Sequence, residues 1–289
     1  MRIALDRRTM LLNYIEVLKP RETSLLAFIG TCAAIIAADG NLPVGTFVLA
    51  VIAVTLGSAG CNGLTNYLDK DIDAKAIRTR NRALPSQRIY PPQRVLPLII
   101  GLIATALALA YVINPLCFYF GLIGTLASAL WRKTAVSCTF LGIIAGCSPV
   151  LIGWFALKPV FDIKILLICL LVAFWIPIHI WSIMVANRED YLGAGLNYFP
   201  LNLKVRHTVI ILLTLSVLLY IVSLLPYFLS NLKLLYLALA NILGILMLVA
   251  NARLLCSETP AAAWRVYKLS SFPYLGIMFL AMSLDTLLM

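Results

Sequence analysis

Between residues 62 and 82 the chain reads NGLTNYLDKDIDAKAIRTRNR, a polar stretch set in a very apolar sequence. Continued as a helix from the apolar run before it, Asn62, Asn66, Asp69 and Asp73 fall at i, i+4, i+7 and i+11 and share one face. Oxygen donors without Cys or His suit Mg²⁺, which keeps waters and completes its octahedron with substrate phosphates. Asp71 falls off that face. Lys75, Arg78, Arg80 and Arg82 follow at once, so carboxylates fit to hold a metal are succeeded by cations fit to hold a phosphate. The pattern points to a metal-diphosphate site. A charged loop beside a membrane would account for the charges alone, but not for their common face.

Such a site needs a scaffold, and the composition names its solvent. Hydrophobic residues make up 62% of the 289 and charged residues 12%, against about 25% charged in soluble domains; the mean hydropathy is +0.97. A bilayer core of about 30 Å takes roughly 20 helical residues. Apolar runs centred near residues 31, 54, 104, 124, 147, 174, 218, 243 and 279 give the expectation of an all-α polytopic membrane protein. Nine transmembrane helices would form a bundle around a central cavity, with residues 1–289 as one domain. The first run is long enough to span and others follow it, so it is not read as a cleaved signal peptide. On this partition all but three of the 23 Lys and Arg (Lys158, Lys164 and Lys233) fall on one side. The positive-inside rule then places the N-terminus and the 62–82 stretch in the cytoplasm and the C-terminus across the membrane. Topology, the lipid bilayer's anionic headgroups and an anionic substrate account for the net charge of +11, so no nucleic acid is called for.

The loops after the second and sixth spans carry Asp69, Asp71, Asp73, Glu189 and Asp190, five of the chain's 12 acids. Lying four spans apart, they hint at a duplicated half, without a residue-level repeat, and are expected to cap one cavity together. His179 stands two residues after Pro177 within the sixth span, where an ionisable side chain is a functional candidate by default. The structural alternative is a neutral imidazole bonded to a carbonyl freed by the proline kink. His207 is expected at the interface. Trp131, Trp154, Trp175, Trp181 and Trp264 read as an interfacial belt, with Trp181 and Phe174 as candidates for facing the cavity. Seven scattered cysteines without a CxxC pair read as packing residues.

NYLDKDIDAKAIRTRNRALP at 66–85 resembles the first signature of the UbiA-type intramembrane prenyltransferase superfamily, and within it the protohaem IX farnesyltransferase (haem O synthase) branch. LKPRETSLL at 18–26, WRKT at 131–134, WIPIHIWSIMVANREDYLGAG at 175–195 and SSFPYLGIMFLAMSLD at 270–285 are similar to further segments of that branch, in the same order. The chain departs from the pattern at Thr65, Ala76, Ala135 and Ile178, none of them a proposed metal ligand. The resemblance implies an allylic diphosphate that ionises as Mg²⁺ and cations take charge from the leaving group. Asn66, Asp69 and Asp73 would hold one metal, with Asp190 and Glu189 on the second side. Asn62, Arg78, Arg82, Arg132, Lys133, Asp190 and Tyr191 would contact substrate. Asp69, Asp73 and His179 would be catalytic, the imidazole either ligating haem iron or taking a proton from the quenching water. The implied substrates are farnesyl diphosphate and protohaem IX, giving haem O for terminal oxidase assembly in the cell (inner) membrane. Haem A synthase or oxidase assembly proteins would be partners. A quinone precursor, a chlorophyll-type ring or a lipid glycerol are alternative acceptors; a secondary transporter and a non-catalytic haem assembly factor are the alternatives outside the enzyme class.

Overall fold

The computed structural model describes residues 7–133, 135–230 and 232–288, and among them every regular element is helical. A short α1 (Arg7–Val17) precedes α2 (Pro20–Ala38), α3 (Val44–Leu68) and the single turn α4 (Lys70–Asp73). A 3₁₀ turn, Pro92–Val95, leads into α5 (Leu96–Ile113); α6 (Pro115–Leu130), α7 (Ser137–Leu157), α8 (Ile163–Ala186) and the short α9 (Arg188–Gly193) follow. The last part comprises α10 (Val205–Leu229), α11 (Leu234–Ser257), α12 (Pro260–Leu269), a π-helical segment Ser270–Gly276 and α13 (Ile277–Leu287).

Seven helices are long and apolar enough to cross a membrane: α2, α3, α5 with its 3₁₀ lead-in, α7, α8, α10 and α11. This is a multi-pass membrane protein. Each of the nine expected centres falls in a separate helix, but α6 has 16 residues and the last expected span is broken between α12 and α13 by the π segment containing Pro273. Helix starts are marked in the local sequence. Asn114 accepts from the Leu116 amide ahead of α6, Asp162 from the Lys164 amide ahead of α8, and Thr259 from the Ala262 amide ahead of α12, each supplying an acceptor to an orphan donor of the first turn. The N-terminus of α11 is capped from afar: Asp285 on α13 accepts from the amides of Lys233 (2.8 Å) and Tyr236 (3.1 Å).

Outward faces carry apolar side chains such as Ile100, Val112, Phe140, Ile221 and Phe228, all exposed, as a lipid solvent permits. Inside, α2 packs on α7 and α3 on α5, while α10 joins α8 to α11. The α2–α7 crossing depends on small residues: a Cβ built on Gly153 would collide with the Gly30 carbonyl oxygen. With no hydrophobic force between helices in lipid, such close backbone approach supplies the contact.

The belt expectation fails for three of the five tryptophans, the buried Trp154, Trp175 and Trp181, while Trp131 is half-buried. Trp154 is fully buried and donates to the Val160 carbonyl, Trp175 donates to the Ser270 carbonyl, Trp181 to the Thr139 hydroxyl and Trp131 to Asp69. Each indole N–H meets a protein acceptor, which removes the cost that would otherwise hold it at the membrane surface. His207 is exposed at the start of α10. The seven cysteines are free thiols, and all but Cys256 are buried or half-buried.

Candidate active site

The polar face predicted from spacing is divided by the structure. Helix α3 ends at Leu68, Asp69 caps it, and Asp73 closes the separate turn α4. Both carboxylates are nonetheless buried, 3% and 2% exposed. Burying a charge is costly unless it is paired and hydrogen-bonded, and each is. Asp69 accepts from the Trp131 indole (3.1 Å) and the Lys133 amide (3.3 Å), with Lys133 Nζ 3.8 Å away. Asp73 accepts from Lys133 Nζ (2.7 Å) and Arg82 Nη1 (3.0 Å). The two differ in balance. Burial pushes the Asp69 carboxyl up, and Lys133 offsets that only in part. Burial pushes Asp73 up too, but Lys133 and Arg82 outweigh it and hold the carboxyl below its ordinary value.

Asn66 donates to the Val17 carbonyl (3.0 Å) and leaves Oδ1 buried with no partner among the described residues. Asn62 donates to Thr23 Oγ1 (2.9 Å). Two buried carboxylates and, one helical turn before the first of them, an unsatisfied amide oxygen are donors of the kind a hard divalent cation takes, one whose remaining positions go to water and phosphate. Among the described residues no group of three or more His, Cys, Asp or Glu comes together, so a protein-only cage is not on offer.

The second acidic loop reaches the first. Asp190 Oδ1 accepts from the Ile77 amide (2.6 Å) and Oδ2 from the Arg78 amide (3.1 Å), while Arg78 Nη2 donates to the Tyr191 hydroxyl (3.2 Å). Residues 113 positions apart are thereby joined over one end of the bundle. Glu189 is exposed. Arg132 is exposed as well and donates to the carbonyls of Ala129 and Trp131, turned away from its neighbour Lys133. Thr134 of the WRKT segment lies outside the described residues.

Behind these groups lies a cavity of about 280 Å³ between α2, α3, α5, α6, α7 and α8. Lys19, Glu22, Asn62, Thr65, Trp131 and Lys133 are the polar lining toward the loops, a few Ser and Thr hydroxyls lie deeper, and the rest is mostly small or apolar, including Gly57, Gly121 and Gly146. His179 and Trp175 line the α8 wall, whereas Trp181 and Phe174 are not part of the lining. His179 stacks on Trp175 (4.8 Å between centroids) and on Tyr267 (4.6 Å). Its Nδ1 lies 2.9 Å from Ser270 Oγ, so its partner is a hydroxyl from the π segment and not a carbonyl released by Pro177.

Sequence reasoning missed Lys19, Trp131, Tyr267 and Ser270. Lys19 is the clearest loss. It occupies the turn between α1 and α2 in a left-handed conformation (φ 49°, ψ 68°), uncommon for a residue with a Cβ, and its ammonium donates to Thr65 Oγ1 (3.1 Å). Burial, together with Lys133 and Arg82, lowers its pKa to about 8. The LKPR segment held the only signal, a lysine directly before the first apolar run.

Comparison with known proteins bears on the whole chain. Residues 25–281 match the model of the UbiA prenyltransferase family. A protoheme IX farnesyltransferase from Desulforudis audaxviator is 36% identical, over 94% of this chain and 87% of its own length. Another, from Symbiobacterium thermophilum, is 32% identical over 94% and 93%. Among solved structures, one from work on digeranylgeranylglyceryl phosphate synthase superposes with a TM-score of 0.74 at 22% identity, covering 96% of this chain and 99% of the other. A UbiA homologue from Archaeoglobus fulgidus, bound to GPP and Mg²⁺, gives 0.67 at 15% identity, covering 96% and 100%.

Proposed function

This chain belongs to the UbiA prenyltransferase family, and from that premise we propose that it transfers a farnesyl group from farnesyl diphosphate to a vinyl group of protohaem IX. Diphosphate leaves, water adds to the resulting cation, and haem O is the product. The observation that carries this reading is the buried Asp69 and Asp73 pair, cation-bound, beside the polar lining of an otherwise apolar cavity. The relatives named above are called protoheme IX farnesyltransferases at 36% and 32% identity, which supports protohaem as the acceptor.

Asn66, Asp69 and Asp73 would hold a divalent cation, which we take to be Mg²⁺, with Asp190 serving the second side. Bound there, the ion would stabilise charge on the departing diphosphate. Lys133, Arg82, Arg78 and Lys19 would supply positive charge around the same anion. Asp190 engages one lone pair of each oxygen on backbone amides and keeps the others, so it also fixes the segment that carries Arg78. The apolar walls receive the prenyl chain and keep water from the allylic cation.

On the α8 wall the Ser270 hydroxyl donates to the Tyr267 carbonyl (2.9 Å). The same oxygen then accepts from His179 Nδ1–H, which leaves Nε2 as the ring's acceptor for haem iron or for the proton of the quenching water. Our reading of topology is nine crossings in a single domain over residues 1–289 of the cell (inner) membrane. The N-terminus and both acidic loops are cytoplasmic and the C-terminus is across the membrane. Haem A synthase or oxidase assembly proteins are the partners that would take the product.

The test is to incubate the purified protein with Mg²⁺, farnesyl diphosphate and either protohaem or 4-hydroxybenzoate, and to identify the product by mass. Farnesylated haem, lost in His179→Gln while farnesyl diphosphate binding persists, is the expected result. Prenylated hydroxybenzoate, with protohaem untouched, would reject the acceptor assignment.

A further inference from the structure

Away from the cavity, α11 and α12 leave an outward groove of about 490 Å³. It is lined by Val249, Arg253, Ser257, Thr259 and Arg265, and a contiguous depression adds Leu246 and Leu269. The helix periodicities order these residues. On α11, Leu246, Val249 and Arg253 stand at i, i+3 and i+7 and share a face; both apolar members are exposed. Helix α12 returns after a two-residue turn with Arg265 one turn before Leu269. Apolar side chains therefore lie toward the middle of the bundle, two guanidinium groups come next, and the Ser257 and Thr259 hydroxyls stand at the helix ends.

Both arginines are exposed, and neither has a hydrogen-bond or ion-pair partner among the described residues. The adjacent acid, Glu258, is engaged by Arg206 (3.3 Å). Glu258 and Pro260 also border a depression with Lys75 and Asp190, so this end of the groove is the end that carries the acidic loops. Topology alone asks for positive charge on this side. It does not ask for two arginines in one groove directly above lipid-facing apolar steps.

We propose that the α11–α12 groove binds the phosphodiester headgroup of an anionic phospholipid, Arg253 and Arg265 donating to its oxygens and its acyl chains lying over Leu246 and Val249. The like charges of the two guanidinium groups repel, and a phosphate between them turns that repulsion into two charge-assisted hydrogen bonds. Nothing in this proposal depends on the acceptor or the prenyl donor.

The test is native mass spectrometry of the full-length protein from micelles doped with equimolar phosphatidylglycerol and phosphatidylcholine. Wild type should retain phosphatidylglycerol over phosphatidylcholine, and Arg253→Gln/Arg265→Gln should lower that preference at least fivefold. Arg8→Gln/Arg94→Gln, which removes the same charge from other exposed positions, should leave it intact. Equal retention in wild type and the Arg253→Gln/Arg265→Gln protein would overturn the proposal. So would equal loss in both double variants, which would assign the preference to overall charge. Displacement of the lipid by millimolar inorganic phosphate would also overturn it, by making the ligand a soluble anion.

Discussion

The two acidic loops of this protein meet over one end of the bundle, yet their carboxylates face different partners. Asp69 and Asp73 are buried against side-chain cations, Lys133 and Arg82. Asp190 is spent on the backbone amides of Ile77 and Arg78. A backbone amide cannot leave without unfolding its segment, whereas an ammonium on a four-carbon stem can turn to another anion. On the proposed function the first loop is suited to exchange, its own Arg82 and the facing Lys133 passing from carboxylate to diphosphate, and the second loop holds the first in place.

That difference breaks most sharply at the buried pair. Asp69→Asn or Asp73→Asn should leave a folded, monodisperse protein while lowering turnover by at least about 10²-fold, the scale of losing one electrostatic contact to a developing charge. Size exclusion beside a product assay checks it, and full activity in either variant would remove these residues from the chemistry. Lys133→Ala comes next. It strips the common partner from two buried carboxylates, so thermal stability and turnover should both fall; adding Asp73→Asn should restore part of the melting temperature but none of the turnover. Unchanged stability in the single variant would show that Lys133 does not compensate the pair.

Asp190→Asn should be milder, about tenfold in kcat/KM and expressed mainly in KM for farnesyl diphosphate, since it loosens the Arg78 segment by roughly the 1.4 kcal/mol that such a factor represents. A loss as deep as that of Asp73→Asn would erase the distinction between the loops. The smallest effect belongs to Lys19. Its pKa lies at about 8, below the ordinary lysine value because of burial and its cationic neighbours. The ammonium at the mouth is therefore fully charged only below that pH, and KM for farnesyl diphosphate should rise as pH increases through 8. For stability the sign is opposite: above 8 the unfolded chain binds the extra proton, so losing it relieves the fold. Lys19→Arg, which stays protonated, should flatten the KM profile.

Some of this was legible in the residues alone. The spacing from Asn62 to Asp73 picked out two carboxylates that the fold buries, and the break at Asp69 did not matter because residues four apart across it still share Lys133. The nine centres each found a helix. What escaped was set by tertiary approach. Arg132 and Lys133 are adjacent cations pointing to different places, which periodicity cannot separate at the end of a helix. Lys19 reaches Thr65 only because its turn is left-handed. The partner of His179 comes from 91 residues away, through a π segment that no local pattern announced. The three buried tryptophans misled for the reverse reason: position near a span end argues for the interface, and only the location of a protein acceptor reverses it.

The central claim is that the Asp69 and Asp73 pair governs the uptake of a divalent ion together with the diphosphate, Asp190 adding to it from the second side without being required for it. Calorimetric titration with the non-ionising analogue farnesyl thiolodiphosphate, with and without Mg²⁺, tests it most directly. Wild type and Asp190→Asn should both bind the analogue more tightly when Mg²⁺ is present, and Asp73→Asn should show no such gain. A full Mg²⁺-dependent gain in Asp73→Asn, or its loss in Asp190→Asn alone, would contradict the account.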